Sequence, residues 1–411
     1  MRKKIIYLDY ASTTPIDSEV LKEMLPYLKE KYGNPSSVHF LGEEAKLATD
    51  NARKKVADVL NCLSEEIIFT GSATEADNLA IKGVIENCKL SRFHRGLTTK
   101  SEQIENCHII TSMIEHHAVL EPIKALEKQG VEVTYLPVNK SGIINISNLV
   151  KAIEENTVLV SIMYVNNEIG AIQPLKQIGE LLQEINELRK KSGVQKIYFH
   201  SDAVQAVNYL DCDVKKLGVD FLTLSGHKIY GPKGVGMLYI KKGTPISPQV
   251  LGGGQEAAVR SGTENVAGIV GLEAAIEKVK SQKLKVKSIE KLRNKLISGI
   301  IKTIPDVQLN SSIKNSLPNI ANFSFKGAEG EAIVLALDQK GICVSTGSAC
   351  SSRSLEPSHV LLALGLAEEE AHSSVRFSLG RYTTSREIDY VLKILPGVVE
   401  RLRKISGYSA R

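Results

Sequence analysis

Between residues 65 and 240 the chain alternates short apolar runs with longer stretches of helical periodicity. The runs cover 67–69, 107–111, 131–136, 158–163, 197–200, 221–224 and 235–240, with helical patterns such as 74–87 and 174–191 between them. Runs this short, bounded by turn-forming residues and separated by helices, predict an α/β domain with a largely parallel sheet. Ligands of such sheets bind beyond the carboxyl ends of the strands, and the polar motifs of this chain follow the runs at those places.

After Gly262 the pattern changes to a long helical stretch, with Lys278, Lys280, Lys283, Lys285 and Lys287 assigned to its exposed side. That run reads as a solvated face rather than a binding patch. A smaller α+β portion follows, with a strand predicted over 319–325 and a final helix over 385–404. Thr384 and Glu387 have the spacing of a capping box at its start. Residues 88–106 lack apolar periodicity and read as an exposed loop. The sequence holds no internal repeat and no low-complexity tract.

A chain of 411 residues exceeds one ordinary core and implies about two domains. Its 43% hydrophobic and 24% charged residues are those of a globular protein in water. The net charge of +6 comes from 52 basic residues spread among 46 acidic ones, so direct nucleic-acid binding is not expected. The apolar run near the N-terminus breaks too early for a signal peptide, and no segment could span a bilayer, so a cytoplasmic protein is expected. Six cysteines (Cys62, Cys88, Cys107, Cys212, Cys343, Cys350) without C-x-x-C spacing argue against a disulfide framework and against a zinc ribbon.

Lys228, in Ser225-Gly226-His227-Lys228, stands where an apolar strand runs into a Gly-rich loop. An amine placed there suits a Schiff-base lysine, or a lysine paired with an anion; the plain alternative is a snorkelling surface lysine. Gly71-Ser72-Ala73-Thr74-Glu75 opens a helix straight after a strand, so its N–H groups and the Thr74 hydroxyl suit a phosphate, or simply cap the helix. Asp202 ends a buried strand and needs a cationic partner: a protonated pyridine nitrogen, or an ordinary ion pair or cap. His116 and His117 diverge too far to share a metal, and no metal site is expected. A single imidazole, His116, could stack on a flat ring and move protons. Asn167 follows the strand ending at residue 163 and offers an amide to a ring oxygen or a substrate carboxylate, or caps its loop. Cys350 lies among small polar residues, whereas Cys343 sits between Ile342 and Val344. That setting suits a thiol on a mobile loop. Arg376, on a strand-like alternation, suits a bidentate grip on a carboxylate or an ion pair.

These stretches together resemble the NifS/IscS-like cysteine desulfurases, class-V aminotransferases of the aspartate-aminotransferase fold (fold type I of the pyridoxal-phosphate enzymes). The likeness runs from Tyr7-Leu8-Asp9-Tyr10-Ala11-Ser12-Thr13-Thr14-Pro15 through Gly33-Asn34-Pro35-Ser36-Ser37 to 376–384, and Ser225-Gly226-His227-Lys228 and Gly347-Ser348-Ala349-Cys350 are its most specific parts. The resemblance implies a large domain over 16–280 with a mostly parallel seven-stranded sheet. A small α+β domain, made of 1–15 and 281–411, would carry the catalytic cysteine loop.

The resemblance also implies residue roles. Lys228 forms the Schiff base with pyridoxal 5'-phosphate, Asp202 holds the pyridinium, Gln205 bonds the ring hydroxyl, and His116 stacks on the ring, with Asn167 beside ring and substrate. Thr74, Ser225, His227 and the backbone near Ala73 hold the phosphate. Thr263, in Arg260-Ser261-Gly262-Thr263, reaches the phosphate of the other subunit and so implies a homodimer. Arg376 binds the carboxylate of L-cysteine. Cys350 takes the sulfur as a persulfide, leaving alanine, and passes it to an acceptor protein serving iron–sulfur clusters or tRNA thiolation. Two departures stand out: residues 91–105 form a longer insertion than expected, and the chain stops at Arg411 without the extended tail that engages the iron–sulfur scaffold. The competing expectations are a selenocysteine or cysteine-sulfinate lyase on the same fold, and a catalytically silent sulfur-transfer scaffold subunit.

Overall fold

The computed structural model describes residues 5–94, 107–281, 283–346 and 356–408. Twelve strands are found among them: β1 (Ile6–Tyr7), β2 (Ile67–Thr70), β3 (His108–Ser112), β4 (Glu132–Leu136), β5 (Thr157–Ser161), β6 (Tyr198–Asp202), β7 (Phe221–Ser225), β8 (Gly236–Ile240), β9 (Val307–Leu309), β10 (Ile320–Phe325), β11 (Ile342–Cys343) and β12 (Ser374–Ser378). Seven form the central sheet in the order β2-β8-β7-β6-β5-β3-β4. Only β8 runs against its neighbours. The reason is local: the ten residues between β7 and β8 hold one short helical turn, too little for the crossover that a parallel pair needs.

Alternation along the strands divides the core into two layers. Ile67, Phe69, Ile110, Val160, Phe199, Leu222 and Met237 face one side, where the helix Leu175–Lys191 adds Leu175, Ile178 and Leu182. Ile68, Ile109, Leu159, Phe221 and Leu238 face the other, covered by Ala76, Leu79, Ala80, Ile81 and Val84 of the helix Ala73–His94. Because both faces are covered, all but the edge strand β4 read as continuous apolar runs; β4 buries only Leu136 fully, and its run was legible from Val131, Val133, Tyr135 and Leu136.

The remaining strands build a smaller unit. The order β12-β10-β9 is antiparallel, β1 pairs with β11 in parallel, and the helices Lys283–Thr303, Gly330–Asp338 and Ser385–Ser406 pack on them around Leu296, Ile300, Phe323, Phe325, Phe377 and Leu395. Ile6 and Leu8, from the start of the chain, belong to this second core.

Four expectations change. Residues 88–94 continue the helix Ala73–His94 instead of starting a loop; the rest of that segment lies outside the described residues. The long helix after Gly262 is two helices, Val266–Ser281 and Lys283–Thr303. Lys278 is not a solvated lysine but pairs with Asp17 Oδ1 at 2.7 Å, because the helix packs on the one spanning Ser18–Lys29. β12 does not alternate: all five of its residues are buried, since it is the edge strand of its sheet yet is covered on both faces.

The capping box is present. Thr384 Oγ1 accepts from Glu387 N at 3.3 Å and Glu387 Oε2 accepts from Thr384 N at 2.8 Å. Thr384→Ala is therefore expected to cost about 1 kcal/mol, read as a lower urea midpoint with an unchanged cofactor absorbance.

Candidate active site

At the carboxyl ends of the parallel strands a cleft of about 400 Å³ opens. Its lining includes Ala73, Thr74, His116, Asn167, Asp202, Gln205, Ser225, His227, Lys228 and Arg376, ten of the predicted site residues. They come from separate strand ends: β6 ends at Asp202, β7 at Ser225, and the loops after β3 and β5 carry His116 and Asn167.

Lys228 ends the short turn Gly226–Lys228. A side chain on Gly226 would lie 2.9 Å from the Pro232 carbonyl oxygen, so this turn closes tightly only with glycine there. Lys228 Nζ donates to the carbonyls of Ala11 at 2.7 Å and Ser12 at 2.8 Å. Gln205 Nε2 donates to the same Ala11 oxygen at 2.9 Å.

Asp202 is 8% exposed, and its Oδ1 accepts from Val204 N at 2.9 Å. It makes no ion pair within 4 Å among the described residues. Burial, and next the charge of Asp77, push its carboxyl up to about 7. His116 caps the helix His117–Glu127: Nδ1 accepts from Ala118 N at 3.1 Å. The capping bond fixes the tautomer, so the neutral ring carries its proton on Nε2. Burial, followed by the nearby Lys228, lowers His116 to about 4 and keeps it neutral at pH 7.

The loop before the helix Ala73–His94 supplies anion-binding groups. Ser72 Oγ accepts from Glu75 N at 3.1 Å and so takes the capping role, leaving the Thr74 hydroxyl to the cleft. Strand β8 approaches this loop so closely that a Cβ on Gly236 would lie 2.6 Å from the Ser72 carbonyl carbon. His227 Nδ1 lies 3.1 Å from Thr13 Oγ1, and burial lowers its imidazole to about 4.

Arg376 is 2% exposed. Its Nη2 donates to Asp9 Oδ1 and to Ser12 Oγ, both at 2.8 Å, and Nη1 donates to the Asn167 carbonyl at 2.9 Å. Nε is buried and has no hydrogen-bond partner among the described residues. Of the two remaining predicted residues, one is placed elsewhere and one lies outside the described residues. Thr263 lines a separate one with Gly71, Arg260 and Glu264. Cys350 lies outside the described residues; the chain before it bridges Ser345 to Arg376, and the chain after it joins Ser358 Oγ to Glu168 Oε2 at 2.6 Å.

Sequence reasoning missed Asp77, Glu115, His117, Glu168 and His359, which all line the cleft. Glu115 is fully buried and accepts twice from Met163 N, at 2.9 and 3.0 Å. Its place beside His116 was the available signal.

The donor set fits one kind of guest. A buried carboxylate that faces a cleft and has no ion-pair partner within 4 Å among the described residues suits a protonated ring nitrogen. A helix N-terminus with two hydroxyls and an imidazole nearby suits a phosphate. A primary amine between them suits a carbonyl carbon.

The model of the aminotransferase class-V family matches residues 6–391. A protein of Dictyoglomus turgidum described as "Cysteine desulfurase IscS" is 49% identical over 407 residues, covering 99% of this chain and 97% of its own. Among solved structures, a "NIFS-LIKE PROTEIN" superposes with a TM-score of 0.85 at 39% identity, covering 97% of this chain and 100% of its own. Another, "SspA in complex with cysteine", gives 0.76 at 36% identity, over 92% of this chain and 100% of its own.

Glu115 gives the site a pH signature. Burial pushes its carboxyl up to about 8 from an ordinary 4.5. Between those values the folded chain keeps a proton that the unfolded chain has released, so the stabilisation is complete below the lower value and is lost as pH rises to the upper one. The cofactor-free protein is expected to have a lower Tm at pH 8 than at pH 6. Glu115→Gln, which imitates the protonated acid, is expected to shrink that difference.

Proposed function

The chain belongs to the class-V aminotransferases and, within them, to the NifS/IscS-like cysteine desulfurases, and on that footing we propose which of its residues carry the reaction. The enzyme depends on pyridoxal 5'-phosphate and converts L-cysteine to L-alanine, moving the sulfur to an enzyme cysteine and on to an acceptor protein. One observation carries the assignment of roles: Lys228, Asp202, His116 and Arg376, far apart in sequence, open on a single cleft.

Pyridoxal 5'-phosphate, when bound, supplies a carbonyl carbon for the substrate amine and an electron sink for the carbon beside it. In our reading Lys228 would hold it covalently and, with Nζ free, would accept the α-proton. Asp202 would keep the ring nitrogen protonated by ion pairing. Gln205 meets the ring hydroxyl. His116 lies against the ring as a neutral imidazole and offers Nε2–H as a proton donor. Thr74, Ser225, His227 and the N–H groups at Ala73 bind the phosphate. Arg376 takes the substrate carboxylate beside Asn167. Cys350, as thiolate, attacks the substrate sulfur: its S–S bond forms as the substrate C–S bond breaks, leaving a persulfide on Cys350, while the bonding pair stays with the substrate carbon, which takes a proton and becomes the methyl group of alanine.

We assign Thr263 to the phosphate site of a second copy, making the enzyme a homodimer. Its place in a cleft other than the one lined by Thr74 supports this reading. We place the domain division at 16–280 against 1–15 with 281–411. The cytoplasm is the proposed compartment, and the five described cysteines are unbridged, as a reducing compartment leaves them. The proposed acceptor is an iron–sulfur scaffold or a tRNA-thiolation enzyme.

The test is a visible spectrum of the purified protein before and after L-cysteine with a thiol reductant, with sulfide and alanine assayed in parallel. A yellow protein that makes both products is expected. Cys350→Ala is expected to stay yellow and lose at least about a thousandfold in sulfide formation, in the range of a lost nucleophile or acid–base group. Full activity in that variant would instead identify a lyase, and a protein that takes up no cofactor would leave a scaffold role.

A further inference from the structure

Asp77, in the first turns of the helix Ala73–His94, is 0% exposed, lines the cleft, and has no role in the mechanism above. Neither carboxylate oxygen makes a hydrogen bond of good geometry among the described residues. Its nearest basic neighbour is His200 Nε2, 3.4 Å from Oδ1. His200 stands two residues before Asp202 on β6, so the two side chains leave the same face of the strand.

The other contacts of His200 are neutral. Nδ1 lies 2.8 Å from Ser161 Oγ on β5, and Nε2 lies 3.2 Å from Thr223 Oγ1 on β7, the residue paired with Asp202 in register. Strands β2 and β8 present Ile68 and Leu238 to this side, both apolar. The helix beginning at His117 contributes the neutral cap His116, and the loop before it contributes Glu115, whose carboxyl is raised in part by Asp202 and Asp77. Lys228 acts on Asp202 from across the cleft. Asp77 is thus a buried acid with one imidazole, two hydroxyls and two other carboxyls around it.

We propose that Asp77 is a positioning residue for Asp202: held against His200 inside the same buried cluster, its charge sets the pH range over which Asp202 ionises. For catalysis this rests on the reading of Asp202 as the partner of the ring nitrogen. A second carboxylate behind the first opposes its ionisation and, where a cation is bound in front, strengthens the hold on that cation's proton. After burial, the charge of Asp77 is the strongest influence raising Asp202. Asp77 itself is pushed by burial to about 7, with the Thr223 hydroxyl drawing it back, so its charge changes within the working pH range. The two groups titrate together, and the pH behaviour belongs to the pair.

The test compares the parent enzyme with Asp77→Asn, which keeps the shape and removes the charge, in cofactor-free and cofactor-loaded forms. Both carboxyls are raised from the ordinary 3.8 to about 7, so, with Glu115 acting in the same direction, they lower the stability of the cofactor-free parent as pH climbs from about 4 to about 7. Asp77→Asn is expected to cut that fall in Tm by at least about a third, because one of three raised carboxyls is gone and Asp202 ionises lower. In the loaded enzyme the pH midpoint of the visible band is expected to move down by about one unit. An equal loss of Tm at every pH with an unmoved midpoint would make Asp77 merely structural and overturn the proposal. Should Asp77→Asn not fold, Asp77→Leu removes the same charge and is read in the same way. If no form takes up pyridoxal 5'-phosphate, the assigned role of Asp202 falls, while the melting series on cofactor-free protein still decides the influence of Asp77.

Discussion

A carboxylate buried at the end of a parallel strand, with no cation of the chain paired to it, is the feature around which the site is arranged. Asp202 is costly where it stands, and the fold tolerates it because a backbone N–H of Val204 and a partial proton offset its charge. A cationic ring nitrogen completes the balance. Ligand affinity and electronic activation therefore come from the same unsatisfied charge. Neutral His116 and His227 fit this scheme, since burial keeps both imidazoles uncharged and leaves Asp202 without competition for its partner.

The second constraint is the strap formed by residues 9–14. Ala11 and Ser12 carbonyls hold the Lys228 ammonium, and Asp9 and the Ser12 hydroxyl hold Arg376. Thr14 Oγ1 donates to the His227 carbonyl at 2.9 Å and accepts from Tyr230 N at 2.8 Å. A few N-terminal residues thus tie the turn after β7 in the large sheet to β12 in the small unit. Arg381 reinforces the tie, donating to Asp17 Oδ2 at 2.9 Å and lying 3.5 Å above the Tyr230 ring. Lys228 and Arg376, assigned to the cofactor and the substrate, are positioned by one short segment, so a shift of either unit would move both.

Much of this was legible in the chain. The strands of the main sheet other than the edge strand β4 appeared as apolar runs because they are covered on both faces, and the capping box at Thr384 appeared because its chemistry is local. Lys228, Asp202 and His116 could be singled out because an expensive polar group at the end of an apolar run demands a partner. Asp77 and Glu168 could not, since a carboxylate in a helix or a loop reads as a surface residue until tertiary packing buries it. Lys278 failed in the same way, as its partner Asp17 lies 261 residues away.

The sequence by itself determined the alternation of elements, the chemistry available at the strand ends and the family resemblance, because these depend on residue type and on spacing over a few residues. Only the tertiary structure decided which strand runs antiparallel, which histidine nitrogen carries the proton, that Thr263 stands apart from Thr74, and that Asp77 and Glu115 share one buried cluster with Asp202. Those outcomes depend on burial and on distances between segments far apart in the chain, and both are set only when the sheet and its helices close on one another.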